Sequence, residues 1–318
     1  MFQFIMESAA LNSNLSEKKT DIVCYNMNAD YFKTGDFLDW YIANSVLCAI
    51  LAIATTMANL CILIIIWRTS YLHTPSNVIL FSLALSDLGV GLLAQPVAVV
   101  NTVAKIQGLI NTACISGGAV AALSTYLCGV SLLTVTAVSI DRYLALHLHL
   151  RYKQLVTNKR VIALLVLTWL LVALVLLTWL WYPRFILGLG IAVGCICILI
   201  TSGCFFRIYL VLRYHFRQIS IQTHPKTENQ ESNEALNLTH YRKSVLGMFM
   251  VYLVLLFCYL PYLSVACVVA VQGINTTNRL LFELARTLVY ANSAINPFIY
   301  CWRLQDIRTA VLQRLPCV

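Results

Sequence analysis

The sequence predicts an all-α fold, a bundle of seven membrane-crossing helices, and three observations predict it. Of the 318 residues 60% are hydrophobic and only 11% charged, against roughly 25% charged in a soluble globular chain. Seven apolar stretches are each long enough to cross the hydrocarbon, which takes about 20 residues as a helix because lipid offers no partner to an open backbone N–H or C=O. The alternating segments of roughly ten residues that would mark a closed barrel do not occur.

The chain divides into an N-terminal segment (1–40), the bundle (41–302) and a tail (303–318). The first segment is polar and carries six acids, Glu7, Glu17, Asp21, Asp30, Asp36 and Asp39; it reads as a short ectodomain too small to fold alone. The apolar start Met1–Met6 is too short for a signal peptide and is followed by Glu7, so the first span is expected to direct insertion. The spans run approximately Tyr41–Trp67, Asn77–Val103, Ala113–Leu146, Val161–Tyr182, Phe185–Leu212, Val245–Val271 and Leu280–Trp302. Only Pro183-Arg184 separates the fourth from the fifth, which leaves no room for a folded lid. The one long connection, His215–Tyr241, reads as flexible and cytosolic. After the seventh span Trp302, Leu304, Ile307, Val311 and Leu315 recur at helical spacing with Arg303, Arg308 and Arg314 between them, the pattern of an amphipathic helix on the inner leaflet.

Orientation follows from lysine and arginine. With the N-terminus outside, 15 of them fall on the cytosolic side and 7 on the other, the bias expected of an N-out, C-in protein. The net charge of +9 is mostly this asymmetry and points to anionic inner-leaflet lipid and a cytosolic partner, not to nucleic acid. The sequons at Asn14 and Asn275 lie on the outer side and are candidate glycosylation sites, whereas that at Asn237 lies inside. Of 12 cysteines, Cys48, Cys61, Cys128, Cys195, Cys197, Cys204, Cys258 and Cys267 sit within spans as small apolar residues. Cys24 and Cys114 are the pair on the oxidising side, where a disulfide is open to them. Cys317 is a palmitoylation candidate or an inert tail residue.

Polar residues inside the spans need a reason. Asp87 is the one acid deep in a span, and an ionised group at the bilayer centre costs about 2.5–3.5 kcal/mol. No span offers it a base at similar depth. The other spans supply Asn59, Ser131, Asn292, Ser293 and Asn296, oxygen-bearing neutral groups suited to water or a small hard cation, or to plain interhelical bonding. Asp141-Arg142-Tyr143 places charge at the end of the third span. Pro261 and Pro297 each remove a backbone hydrogen bond mid-span, so kinks are expected there.

Together these residues resemble the rhodopsin-like (class A) G-protein-coupled receptors, over all seven spans and the following helix. Asn59, Leu83–Asp87, Asp141-Arg142-Tyr143, Trp169, Pro261 and Asn296-Pro297-x-x-Tyr300 occur in the family's order. The resemblance implies a heterotrimeric G protein as cytosolic partner, an extracellular ligand, and no required cofactor. It implies that Arg142 releases from Asp141 on activation with Tyr300 swinging in beneath it, that Tyr259 and Pro261 take part in the switch, and that Asp87, Ser131, Asn292, Ser293 and Asn296 hold sodium in the inactive state. Tyr241 stands where many relatives place an acid that restrains the arginine, so Arg142 is expected to be held mainly by Asp141, with appreciable basal signalling.

Departures from the pattern narrow the subgroup. The usual third-span cysteine is Gly117, span five has no proline, and the tryptophan before Pro261 is replaced by Tyr259; the traits are nearest those of melanocortin, cannabinoid and lysophospholipid receptors. The third-span acids of melanocortin receptors are Gly117 and Ala121 here. An amine receptor would carry an acid at Ser124 and an opsin a lysine at Tyr290. Ligand-pocket candidates are Gln95, Ser124, Thr125, Cys128, Tyr259, Tyr262, Glu283, Arg286 and Tyr290. Arg286 is expected either to meet an acidic or lipid-like ligand or to pair with Glu283 on the same helix face. A seven-span transporter or channel is the alternative function, disfavoured by a lone intramembrane acid and no internal repeat. No HExxH or GxSxG motif suggests an enzyme.

Overall fold

A computed structural model describes residues 37–148, 151–179, 183–221, 228–273, 275–303 and 307–310. These contain seven long helices: α1 (Leu38–Arg68), α2 (Pro75–Ile106), α3 (Ile110–Leu148), α4 (Asn158–Trp179), α5 (Pro183–Ile221), α6 (Glu228–Gln272) and α7 (Thr276–Arg303). Helices α1 to α6 are each long and apolar enough to cross a membrane by composition alone. Helix α7 carries Arg279, Glu283, Arg286, Asn292, Ser293 and Asn296 and spans through its place in the bundle, where polar side chains face protein.

Local sequence sets the helix ends. Thr74 caps α2, its hydroxyl accepting from the Asn77 N–H at 3.4 Å, with Pro75 in the first turn where a missing N–H costs nothing. Asn275 caps α7 in the same way, accepting from the Asn278 N–H at 2.8 Å. Gly108 (φ 69°) closes the tight turn between α2 and α3 in a conformation that favours glycine. Pro261 and Pro297 lie inside continuous helices.

Two features differ from expectation. Helix α2 contains a π-helical turn, Val90–Ala94, in which the Gln95 N–H reaches back to the Val90 carbonyl. Pro96 explains it: with no N–H of its own, the ring breaks the regular ladder and the wider turn absorbs the fault. The His215–Tyr241 connection is largely helix, with α5 continuing to Ile221 and α6 beginning at Glu228. Its Glu, Gln, Ala and Leu are good helix formers, and helices already formed in the membrane extend into water at little cost.

The core is a long column of apolar side chains including Ile62, Leu80, Leu83, Val135, Leu255 and Tyr300, with a second cluster around Cys48, Val90, Val120 and Tyr290. Helix α4 turns most of its surface outward, with Leu164, Leu170, Leu174 and Leu177 exposed, as a lipid-facing helix does. Spans one and two pack tightly at Gly91, where a Cβ would lie 2.6 Å from Thr56 Oγ1 and 2.9 Å from the Thr56 backbone nitrogen. Beyond α7, residues 307–310 are helical, with Ile307 and Ala310 buried against the column and Arg308 and Thr309 exposed. That is the two-sided pattern the tail predicts; Cys317, Val311 and Leu315 lie outside the described residues.

Candidate functional site: a polar axis through the bundle

Three polar layers lie along the bundle. The middle one centres on Asp87, which is fully buried. Its Oδ1 accepts from Ser131 at 3.1 Å and Ser293 at 2.7 Å, and its Oδ2 from Asn296 Nδ2 at 2.9 Å. Asn59 joins the layer by donating to the Ser293 carbonyl at 3.0 Å and to that of Thr55 at 2.9 Å. Helices α2, α3 and α7 therefore meet at one carboxylate, and α1 joins them through the Ser293 carbonyl. Asn292 is buried in α7, but no bond carries it to Asp87; its Oδ1 and that of Asn296 find no partner among the described residues. One carboxylate, two hydroxyls and two unpartnered amide oxygens form a hard, oxygen-only donor set, which suits a small hard cation. Trp169 donates from α4 to Ser82 at 3.1 Å.

A second layer, at the end of the bundle where α3 finishes, is built on Asp141. Its Oδ2 accepts from Ser76 of α2 at 2.7 Å and its Oδ1 from Tyr152 at 2.6 Å. Tyr152 opens a one-turn helix, Tyr152–Leu155, between α3 and α4. Burial, and then the hydrogen bond to Asp141, push its hydroxyl up to about 12. Arg142 lies 3.5 Å from Asp141, its Nη2 facing Oδ2. Arg142 is thus one of three partners among which Asp141 divides its oxygens, and the Arg142 Nε finds no partner among the described residues. Ser76 and Tyr152 were not singled out by sequence; a serine and a tyrosine in turns carry no local signal of the carboxylate they serve. Tyr143 stacks on His147, ring centroids 5.7 Å apart. Tyr300 is buried, its hydroxyl without a partner among the described residues, beside a small cavity lined by Leu80, Leu83, Val135, Val138, Ser139 and Phe205.

The third layer, at the opposite end, contains the ligand-pocket candidates. Ser124 and Tyr290 share a hydrogen bond of 2.6 Å across α3 and α7. Tyr259 donates to the Cys128 carbonyl at 3.2 Å. Tyr262 packs against Phe282, centroids 5.0 Å apart, and Thr125 is half-buried. Gln95 is fully buried with both amide atoms unpartnered among the described residues. Glu283 takes its hydrogen bond from Lys105 of α2, Nζ to Oε1 at 2.5 Å, with Arg279 and Arg286 acting on the same carboxylate through space. Lys105 reads from sequence as a loop cation; in the bundle it is buried, because α2 runs on to Ile106 past the π turn. Arg279 donates from Nε to the Tyr41 hydroxyl at 3.0 Å. Cys114 is disulfide-bonded, and nine described cysteines are free thiols. Cys24 lies outside the described residues, as does Asn14.

A helical bundle with a buried acid at its centre, a charged pair toward one end and a polar layer toward the other is that of a membrane-spanning helical protein with a polar axis running from face to face. Comparison with known proteins is specific. The profile described as 7 transmembrane receptor (rhodopsin family) matches residues 58–185 and 178–300, and the chain belongs to that family. Similar proteins include the histamine H2 receptor of Cavia porcellus, 27% identical over 306 residues (89% of this chain, 82% of the relative). Adenosine receptor A2b of Mus musculus is 26% identical over 312 residues (84% and 87%), and that of Gallus gallus 27% over 314 residues (84% and 86%). The chain is a G-protein-coupled receptor, a multi-pass protein of the plasma membrane that passes an extracellular signal to a G protein. A transporter or channel is not favoured.

Proposed function

We propose that the chain sits with its N-terminus outside and receives a small diffusible ligand in the outer half of the bundle, and that Arg142 engages a heterotrimeric G protein once released from Asp141. The observation that carries the coupling role is the Asp141 cluster: Ser76, Tyr152 and Arg142 all converge on one carboxylate at the cytosolic end of α3. Relatives named for histamine and adenosine support a small ligand over a peptide. Histamine itself is not favoured, because Ser124 stands where the amine receptors' acid is expected.

The Asp87 layer is the inactive-state lock. Asp87, Ser131, Ser293, Asn292 and Asn296 would hold sodium there, and a cation supplies charge balance to the buried carboxylate. By linkage an agonist that prefers the sodium-free state and sodium itself weaken each other's binding. Asn275 is exposed, and its Nδ2 would accept a glycan on the outer face while its Oδ1 caps α7.

The test is nucleotide exchange by purified receptor in lipid nanodiscs against a panel of heterotrimeric G proteins. Accelerated exchange on at least one subtype, lost in Arg142→Ala, is the expected result. No acceleration on any subtype, with ion flux in proteoliposomes, would overturn the coupling reading.

A further inference from the structure

Cys114, near the start of α3, is disulfide-bonded. The chain has 12 cysteines, and the nine others among the described residues are free thiols. The partner is therefore one of the remaining two, Cys24 or Cys317, which lie outside the described residues toward opposite ends of the chain. The connection between α4 and α5 has none to give, because no cysteine occurs between Cys128 and Cys195.

Reach separates the two candidates. Cys114 lies at the end of the bundle where α1 begins. Asn101, in the last turns of α2, donates to the Ala113 carbonyl at 2.8 Å and to Ser116 at 3.0 Å. Lys105 joins that end of α2 to Glu283, and Arg279, one turn earlier on α7, holds Tyr41 in the first turn of α1. Ile307 and Ala310 belong instead to the core column whose α3 members run from Leu132 to Leu146. Those members stand about 27–48 Å along the helix from Cys114 at 1.5 Å per residue. The chain from Ala310 to Cys317, even fully extended, covers only about 25 Å. Cys317 falls short of Cys114. The chain from Cys24 to Leu38 covers about 45–50 Å when extended. Helices α1 and α3 have α2 between them, which sets them about 20 Å apart, two helix spacings. Cys24 reaches with length to spare.

We propose that Cys24 and Cys114 form a disulfide that staples the N-terminal segment to α3. It closes a covalent ring through α1 and α2 at the end where the Lys105–Glu283 and Arg279–Tyr41 contacts gather. The pairing rests on the proposed N-out orientation, because disulfides persist on the oxidising side of a membrane. Its formation is an exchange. The two thiols give up two protons and two electrons, one S–S bond forms between them, and the disulfide of a secretory-pathway oxidoreductase opens to two thiols. The staple acts mainly by limiting the unfolded chain, and so long a ring lies toward the upper end of that effect.

The experiment takes the full-length receptor from a eukaryotic secretory host, blocks free thiols with N-ethylmaleimide during denaturation, and digests without reductant for mass spectrometry. A linked peptide pair bearing Cys24 and Cys114, separated by reduction, is the expected result. Maleimide on either residue in most copies, Cys114 joined to Cys317, or Cys114 joined to a second copy would each overturn the proposal. Cys24→Ser should open Cys114 to the maleimide, and Cys317→Ser should leave it closed; the reverse pattern is equally fatal. Dithiothreitol should lower the thermal midpoint of the unaltered receptor by several degrees and leave that of Cys24→Ser unmoved, and an equal fall in both would count against the staple. The linkage is mapped on the unaltered chain, so it decides the pairing even where a variant fails to fold. Antibody binding to an N-terminal epitope on intact cells reads the orientation separately, so failure of that reading and failure of the pairing are told apart.

Discussion

The hydroxyl of Tyr152 and Oδ1 of Asp141 lie 2.6 Å apart, closer than the 3.5 Å that separates Asp141 from its own neighbour Arg142. The short helix between α3 and α4 thus shares the carboxylate that faces Arg142. Tyr152→Phe removes one bond from Asp141 and leaves the ring's packing. The freed carboxylate can then hold Arg142 more closely, so basal nucleotide exchange is expected to fall about two- to fivefold. Asp141→Asn removes the ionic hold on Arg142, and exchange should rise. Both are read by ligand-free GTP turnover at matched receptor concentration, and a rise in Tyr152→Phe would count against the sharing of Asp141.

That contact also has a pH signature. Burial and the Asp141 bond raise the Tyr152 hydroxyl from 10.0 to about 12, so the folded state favours the protonated phenol. Its contribution to stability is fully present below the unfolded value of 10.0 and is lost as pH rises through about 12. The thermal midpoint should therefore fall less steeply above pH 10 in Tyr152→Phe than in the unaltered receptor. Parallel curves would show that the phenol's proton does not matter.

At Asp87 the carboxylate accepts three hydrogen bonds from α3 and α7. Asp87→Asn keeps the size but removes the charge that a cation would balance. Raising sodium at constant ionic strength should stabilise the unaltered receptor by several degrees and leave Asp87→Asn unmoved. A sodium response that persists in the variant would remove Asp87 from the site.

How much of this was legible in sequence depends on how local its signal is. The spans were readable because apolar length is a property of consecutive residues, and Asp87, Asp141 and Arg142 stood out because charge is costly where they sit. Of the polar residues picked out around Asp87, Ser131, Ser293 and Asn296 bond to the carboxylate, whereas Asn59 and Asn292 do not. Partnerships between distant residues were not readable: Ser76 and Tyr152 with Asp141, Lys105 with Glu283, Arg279 with Tyr41. Each is set by helix rotation and length, and the π turn at Val90–Ala94 shifts both for the C-terminal half of α2. The helical extension of α5 and α6 into the long connection was missed because polar composition marks exposure to water, not absence of helix.

Gly91 permits the close approach of α1 and α2. Its missing side chain admits Thr56, whose backbone nitrogen would stand 2.9 Å from a Cβ and cannot rotate away. Gly91→Ala should therefore push the helices apart and cost about 1–3 kcal/mol, the usual penalty for overpacking. The check is the thermal midpoint in nanodiscs. Gly188→Ala, where a Cβ meets nothing within 4 Å, is the control and should leave it unchanged.

Lys105 and Glu283 tie α2 to α7 through a contact buried from solvent on both sides. Such a pair recovers its desolvation cost only while both charges are present, so removing one is far worse than removing both. Lys105→Met leaves the Glu283 carboxylate without its direct partner and should cost about 3–5 kcal/mol. Lys105→Met with Glu283→Gln leaves no uncompensated acid and should recover at least half of that loss. Thermal midpoints of the two single variants and the double variant decide it. If the double variant is as unstable as the sum of the singles, the two residues act separately and the clasp between α2 and α7 is held by something else.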